Sequence, residues 1–128
     1  MTTWTSEELK KIEKADELTL SSMRTDGTYR RPVIMWVVRV GDDLYVRAVK
    51  GRSGLWFRGT QSRHEGRIRS GGVEKEVTFV KEPDSPYHKE IDAAYRAKYS
   101  HYPKSYTDAC LTPEAQAATI KLVPRTLD

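Results

Sequence analysis

Two strand-like runs joined by a tight turn most constrain what this chain folds into. The run over residues 29–40 is apolar and rich in β-branched side chains on both faces, which is typical of a central strand. Gly41, Asp42 and Asp43 then form a turn, and residues 44–49 alternate between two faces. Pro32 lies near the start of the first run and fits a strand entry or edge. The pattern predicts antiparallel pairing.

The rest of the chain alternates between further strand signals and short helices. Thr5 with Glu8 forms a capping box that opens a helix to about Asp16, and Leu18 begins another strand. Glycines 71 and 72 join residues 66–70 and 73–81 as a hairpin. A repeat of apolar and tyrosine residues every three or four positions predicts a helix over 86–99, which Pro103 stops. A short helix through Ala117 and a strand over 118–124 follow. We expect an α+β fold built on a small β-barrel.

The length of 128 residues predicts one domain over residues 1–128. No apolar run approaches the roughly 20 residues that cross a bilayer, and the N-terminus lacks a secretion pattern. Cys110 is the only cysteine, so it forms no internal disulfide, and we interpret it as a small buried residue rather than a nucleophile. The three histidines lie in separate segments, so no metal site is expected. These features favour a cytoplasmic protein.

Positive charge concentrates in one part of the chain. Residues 24–75 hold 12 Lys and Arg against 5 Asp and Glu, whereas the remainder holds 10 against 13. The basic excess coincides with the predicted strands and their loops, where it attracts an anionic partner. Alternatively, these arginines and lysines only solvate the exposed faces of the strands. Acidic residues interrupt the basic stretch and no nucleic-acid-binding signature is present, so a nucleic-acid partner is not expected.

Two family resemblances account for these sequence features. The segment R-T-D-G-T-Y-R-R-P-V-I-M-W-V-V-R-V-G-D-D-L-Y-V-R-A-V-K-G-R-S-G-L-W-F resembles the deazaflavin-dependent nitroreductases of the FMN-binding split-barrel superfamily. Over residues 3–125 the chain is similar to the domain-of-unknown-function family 2255, which shares the Gly-Asp-Asp-Leu-Tyr-Val-Arg and Ala-Ala-Tyr-Arg-Ala-Lys-Tyr motifs. The first resemblance implies a small antiparallel split β-barrel with flanking helices and a flavin-type cofactor, FMN or a deazaflavin. A shorter loop at Arg52, Ser53 and Gly54 departs from the nitroreductase pattern, which leaves open a smaller tail pocket or no long cofactor.

The resemblance also implies site residues. Arg30, Arg31 and Pro32 match the turn that lies along the ring and phosphate of the cofactor. The loop that holds the phosphate-bearing tail matches Lys50, Gly51 and Arg52, and Trp56 matches the aromatic residue beneath it. The residue types suit this role, because arginine and lysine bind phosphate oxygens and glycine admits backbone N–H groups. Trp36 and Trp56 are alternatively core or interface residues.

Tyr95 and Tyr99 complete the set of candidate residues. By the same resemblance they line a substrate pocket and act as catalytic residues, orienting the substrate or donating a hydrogen bond to a developing oxyanion. Tyrosines at these positions equally pack a barrel end with their hydroxyls in water. The sequence alone does not separate the two roles.

Three classes of function remain open. The first is a flavin- or deazaflavin-binding oxidoreductase that acts on a small organic substrate. The second is a cofactor-free enzyme on the same fold, performing acid–base chemistry on a small anionic substrate. The third is a non-catalytic module that binds an anionic ligand. Split barrels place their ligand at a two-fold interface, and exposed strand edges favour burial in a dimer, so we expect a homodimer.

Overall fold

The computed structural model describes residues 3–125. Five α-helices and seven strands make up the fold, together with one 3₁₀ turn at Gly51–Ser53. In chain order they are α1 (Ser6–Lys14), β1 (Leu18–Ser22), β2 (Val33–Met35), β3 (Val38–Val40), β4 (Asp43–Arg47), α2 (Leu55–Arg63), β5 (Glu65–Ser70), β6 (Val73–Lys81), α3 (His88–Lys98), α4 (Lys104–Ala109), α5 (Pro113–Ala117) and β7 (Thr119–Pro124).

The seven strands form one antiparallel sheet in the order β2-β1-β5-β6-β7-β4-β3. Strands β2 and β3 lie at opposite edges, yet only Trp36 and Val37 separate them along the chain. Three peptide steps of about 3.8 Å join Met35 to Val38, so the two edges lie within about 11 Å of each other. The sheet must therefore curl until its edges meet. The fold is an α+β split barrel, as the sequence predicts.

The prediction of one central strand over residues 29–40 is wrong. Only two three-residue edge strands form there, and the backbone between them is bonded by side chains instead of a ladder. The Val37 N–H donates to the Tyr99 hydroxyl at 3.1 Å, and the Val37 carbonyl accepts from Lys98 Nζ at 2.7 Å. Trp36 stacks on Tyr99 with ring centroids 3.8 Å apart. These contacts hold the crossing between the two sheet edges, and they involve residues about 60 positions away.

Local sequence signals locate the other elements well. Thr5 and Glu8 form the capping box of α1, and the β5–β6 hairpin pairs Ser70 with Val73. Thr112 caps α5 through its hydroxyl, with Pro113 as the first helical residue. Helix α2 ends at Arg63, and His64 caps it in the left-handed conformation with φ at 59°. Helix α4 is missed, because six residues are too few to show a helical period.

Two apolar clusters form the core. The larger fills the inside of the curled sheet beneath α1 and α2, and its fully enclosed members include Ile12, Leu18, Leu44, Ile68 and Leu122. The smaller lies between β3, β4 and α3 and consists of Val38, Tyr45, Ile91, Tyr95, Tyr99 and Cys110. Between residues 3 and 125, no helix is long and apolar enough to cross a bilayer.

Candidate functional site

A cleft of about 730 Å³ opens where the barrel is split. It lies between β2 on one side and the end of β4 on the other, with the start of α2 and the end of α4 completing the walls. Its lining consists of Val33, Ile34, Met35, Trp36, Arg47, Val49, Lys50, Ser53, Gly54, Leu55, Trp56, Tyr95, Tyr106, Ala109 and Cys110. We call this space the split cleft.

The rim of the split cleft is unusually apolar. Ile34 is 61 % exposed, Val49 50 %, Leu55 83 % and Tyr106 59 %. These are four of the five large hydrophobic side chains that are exposed among the described residues, and all four line this one cleft. Exposed apolar surface concentrated at a cavity marks a ligand or partner site.

One end of the split cleft is suited to an anion. Gly54 precedes the first residue of α2, and no side chain caps the helix or places an acidic group in its first turn. The N–H groups of Leu55 and Trp56 therefore point out of the helix end with its partial positive charge. Lys50 lies beside them on the cleft wall and is exposed. Together these groups provide charge and hydrogen-bond donors for a phosphate.

The floor of the split cleft contains a buried ion pair. The Arg47 side chain is fully buried, and its Nη1 donates to Asp92 Oδ1 at 2.5 Å and to the Cys110 carbonyl at 2.9 Å. Its Nε donates to Thr119 Oγ1 at 3.0 Å, and its Nη2 lies 3.1 Å from His88 Nδ1. These bonds join β4 to α3, β7 and the end of α4, so they hold the floor together.

The hydrogen bonds of His88 define its tautomer. His88 Nε2 lies 2.8 Å from the Pro83 carbonyl, which only accepts, so Nε2 carries the proton. Nδ1 is then the acceptor for Arg47. On the other side of the ion pair, Gln116 Nε2 donates to Asp92 Oδ2 at 3.1 Å. The Arg47 charge is thus compensated within the protein, and its guanidinium serves to position the floor.

Tyr95 and Tyr99 differ in where their hydroxyls lie. Tyr95 is 1 % exposed and lines the split cleft. Burial raises the pKa of Tyr95 well above its usual value, and the guanidinium and backbone N–H of Arg47 partly oppose this rise. The hydroxyl therefore stays protonated and is a hydrogen-bond donor at neutral pH.

Tyr99 lies outside the cleft lining, and its hydroxyl is already engaged. It lies 2.8 Å from the Asp16 carbonyl and 3.1 Å from both the N–H and the carbonyl of Val37. Burial raises the pKa of Tyr99 as well. The bonds and the stacking on Trp36 give this tyrosine a role in holding the crossing between β2 and β3.

The residues matched to the cofactor-binding turn lie beside the split cleft, outside its lining. Arg30 Nη1 donates to the carbonyls of Met23 and Gly59 at 3.1 and 3.2 Å, which ties α2 to the end of β1. Arg31 and Pro32 are exposed at the entry to β2.

In the loop before α2, likewise, only some of the predicted binding residues line the split cleft. Lys50 and Trp56 reach the cleft, but Gly51 is buried with φ at 74°, and a Cβ there would lie 3.4 Å from that of Glu114. Arg52 is exposed and outside the lining. The structure therefore brings together Lys50, Trp56 and Tyr95 from the predicted set.

Several residues of the floor escape sequence reasoning. Alternation places Arg47 on the same face of β4 as Tyr45, but nothing local indicates that this face is covered by α3. His88 and Asp92 lie four residues apart on α3 and so share a helix face, which is the one signal that could have paired them.

Cys110 is free and buried, and burial raises the pKa of its thiol to about 11, opposed by the charge of Arg47. This agrees with its interpretation as a small packing residue, since a protonated thiol is a poor nucleophile. The described residues contain no group of three His, Cys, Asp or Glu side chains that could hold a metal ion.

Comparison with known protein families matches most of the chain to one family. Residues 8–122 match the model described as "Uncharacterized protein conserved in bacteria (DUF2255)", and the chain belongs to this family. None of the curated protein sequences compared with the chain matches it significantly.

Solved structures share the fold at low sequence identity. A putative pyridoxamine 5'-phosphate oxidase from Listeria innocua is 16 % identical with a TM-score of 0.62, covering 92 % of this chain and 90 % of its own. An FAD-binding protein from Mesorhizobium loti is 15 % identical with a TM-score of 0.57, covering 97 % and 92 %. A protein described as F420 reductase is 17 % identical with a TM-score of 0.52, covering 93 % and 92 %. These proteins and this chain therefore share the split-barrel fold.

Proposed function

We propose that this protein is an oxidoreductase that binds FMN or a deazaflavin in the split cleft and acts on a small organic substrate. One observation carries the proposal: the cleft combines a large apolar and aromatic wall with a single phosphate-suited end. A volume of about 730 Å³ lies within the range of about 300–1,000 Å³ typical of small-ligand pockets. The names of the structural neighbours, which include FAD and F420, point to the same class of cofactor.

The lining residues fit the two parts of such a cofactor. Trp36 and Trp56 offer aromatic surface to a planar ring, while Lys50 and the N–H groups at the start of α2 bind the phosphate. A bound flavin or deazaflavin supplies hydride-transfer chemistry. The protein binds and orients the ring and excludes water from one of its edges.

Of the two candidate tyrosines, Tyr95 is the one proposed to contact the bound molecules. Its hydroxyl reaches the cleft and stays protonated, so it donates a hydrogen bond there. Arg31 and Arg52 are exposed on segments that adjoin the cleft, where they add positive potential for an anionic tail. Arg30, Pro32, Gly51 and Tyr99 support the surrounding backbone.

A second copy of the chain is the proposed partner. The exposed rim of the split cleft, formed by Ile34, Val49, Leu55 and Tyr106, is costly to leave in water. A symmetric dimer that covers this rim would close the cleft over its ligand without any motion of the barrel.

The test is a titration of the purified protein with FMN and with a deazaflavin, followed by tryptophan fluorescence and visible absorbance. We expect binding to at least one of them. Lys50→Ala should then raise the dissociation constant about tenfold, because it removes a charge-assisted contact. Lys89→Ala is the matched control, since Lys89 is exposed on α3 and outside the cleft.

Other outcomes favour other classes of function. If neither cofactor binds, the oxidoreductase proposal fails, and cofactor-free chemistry at Tyr95 becomes the alternative. If Lys50→Ala and Lys89→Ala change the dissociation constant equally, Lys50 does not bind the phosphate and the assignment of the phosphate end is wrong. Binding that falls steeply with salt and needs no ring would instead indicate a module for anionic ligands.

A further inference from the structure

The split cleft is bordered by two stretches of backbone that no neighbouring strand pairs. Strand β3 pairs with β4 only as far as Val38 opposite Tyr45, and the next two positions in this register, Val37 opposite Val46 and Trp36 opposite Arg47, lie outside the ladder. In an antiparallel pair the N–H and carbonyl of one residue point to the same side, and successive residues alternate. The direction of each free edge can therefore be derived from the register.

At Arg47 the free backbone groups face the gap between β4 and Trp36. The Ala48 N–H donates to the Ala118 carbonyl at 3.2 Å on the β7 side, so the N–H and carbonyl of Arg47 point the opposite way. Arg47 is 4 % exposed while its side chain is 0 % exposed, so its exposed atoms belong to the backbone. Arg47 lines the cleft through these atoms.

The same reasoning places a second free edge at Ile34. Met23 donates to Glu65 at 2.8 Å, which by alternation turns Thr19 towards β5 and turns Leu18 and Leu20 towards β2. Val33 and Met35 then bond to β1, and the N–H and carbonyl of Ile34 point away from the sheet. Ile34 is 61 % exposed, so water already satisfies this edge. The edge at Arg47 is the one that faces the floor of the cleft.

Tyr95 adds a third polar group at the Arg47 edge. The Arg47 N–H donates towards the Tyr95 hydroxyl oxygen, which lowers the pKa of Tyr95 against the larger effect of burial. The floor thus offers one donor, the Tyr95 hydroxyl proton, next to one acceptor, the Arg47 carbonyl. An occupant that supplies the complementary acceptor and donor would pair both groups.

We infer that the floor of the split cleft binds the –CO–NH– edge of a planar heterocycle, a cyclic lactam or imide, by completing the unfinished β-ladder at Arg47. The ring carbonyl accepts from the Tyr95 hydroxyl, and the ring N–H donates to the Arg47 carbonyl. The ion pair of Arg47 with Asp92 holds this backbone in place from the other side. The inference rests on the proposed function only for which ring is bound.

Two pairs of probes test the edge directly. Dissociation constants are measured by fluorescence titration for riboflavin against 3-methylriboflavin, and for 1-methyllumazine against 1,3-dimethyllumazine. In each pair the 3-methyl group removes the imide N–H and leaves both carbonyls. We expect methylation to weaken binding at least tenfold within a pair, because the Arg47 carbonyl loses its partner and meets a methyl group.

A variant tests the tyrosine. Tyr95→Phe should weaken riboflavin binding about tenfold, whereas Tyr87→Phe, at an exposed position outside the lining, should leave it unchanged. The probe pairs on the unaltered protein keep the inference testable if Tyr95→Phe fails to fold.

The outcomes separate the two proposals. If riboflavin and 3-methylriboflavin bind equally well, the imide edge is not at the floor, and the inference is overturned while the proposed function stands. If only the lumazine pair binds and responds to methylation, the inference stands for a ring other than a flavin. If no probe binds, the inference is overturned, while the proposed function is decided by the titration with FMN and a deazaflavin, which also engage the phosphate end.

Discussion

At the scale of single residues, burial rather than residue type separates structural from ligand-facing groups. Lys98 is an example on the structural side. Its Nζ donates to the carbonyls of Val37 at 2.7 Å and Ile12 at 3.3 Å, and so helps to hold the crossing between β2 and β3. Burial lowers its pKa from 10.5 to about 8, which the charges of Asp16 and Glu13 oppose. The charged amine is therefore disfavoured in the folded state.

This pKa predicts how stability depends on pH. Between about pH 8 and pH 10.5 the unfolded chain binds more protons at Lys98 than the folded protein, so the free energy of unfolding due to Lys98 rises with pH. Below pH 8 both states are protonated and the cost of burial is fully present. The neutral amine keeps two N–H donors for its two carbonyls.

We expect urea unfolding of the wild type and of Lys98→Met to differ increasingly in favour of the wild type between pH 7 and pH 10. The tyrosines and Cys110 are present in both proteins, so their contributions to the pH dependence cancel in the difference between the two free energies of unfolding. For Lys89→Met, on the exposed side of the same helix, the difference should stay constant. A constant difference for Lys98→Met as well would contradict the assignment.

At the scale of elements, the β5–β6 hairpin depends on close approach to α1. Gly71 and Gly72 form its turn, and both have positive φ, at 57° and 86°. A Cβ on Gly71 would lie 2.4 Å from the Lys11 carbonyl oxygen, whereas a Cβ on Gly72 would meet nothing within 4 Å. The two glycines share the backbone requirement and differ only in the contact with α1.

The pair predicts two different losses of stability. Gly72→Ala should lower the free energy of unfolding by about 1 kcal/mol, because it strains a left-handed residue. Gly71→Ala should cost about 1–3 kcal/mol more, because the backbone of α1 must also move. Urea unfolding of both variants measures the difference. Equal losses would show that the hairpin does not pack on α1 as described.

At the scale of the whole molecule, the exposed rim of the split cleft favours assembly. Leu55 is 83 % exposed at the first residue of α2, and Ile34, Val49 and Tyr106 surround the same opening. Such a concentration of apolar surface is uncommon on a monomer. The cleft and the proposed dimer interface are therefore expected to be one surface.

We predict a dimer in solution scattering, and we predict that Leu55→Glu converts it to a monomer. Glu at the start of α2 complements the helix dipole, so loss of the dimer would not reflect loss of the helix. Ser100→Glu, at an exposed position after α3, is the control and should remain dimeric. A monomeric wild type would overturn the dimer proposal.

Much of the fold could be predicted because its signals are local. The Thr5–Glu8 box, the Gly71-Gly72 hairpin and the cap at Thr112 each depend on residues three or four positions apart. The division of residues 29–40 could not be predicted, since Val37 is held by Lys98 and Tyr99. In the absence of those contacts, the apolar run suits one continuous strand.

The sequence by itself determined the antiparallel α+β character, the family and the basic loop that contributes Lys50. These follow from periodicity, turn residues and motif order along the chain. Only the tertiary structure decided that β2 and β3 occupy opposite edges, that Arg47 is buried against Asp92, and that Tyr95 rather than Tyr99 faces the cleft. The physical reason is that these features depend on contacts between residues distant in the chain. Such contacts decide which side of a strand is covered and which tyrosine hydroxyl has a hydrogen-bond partner.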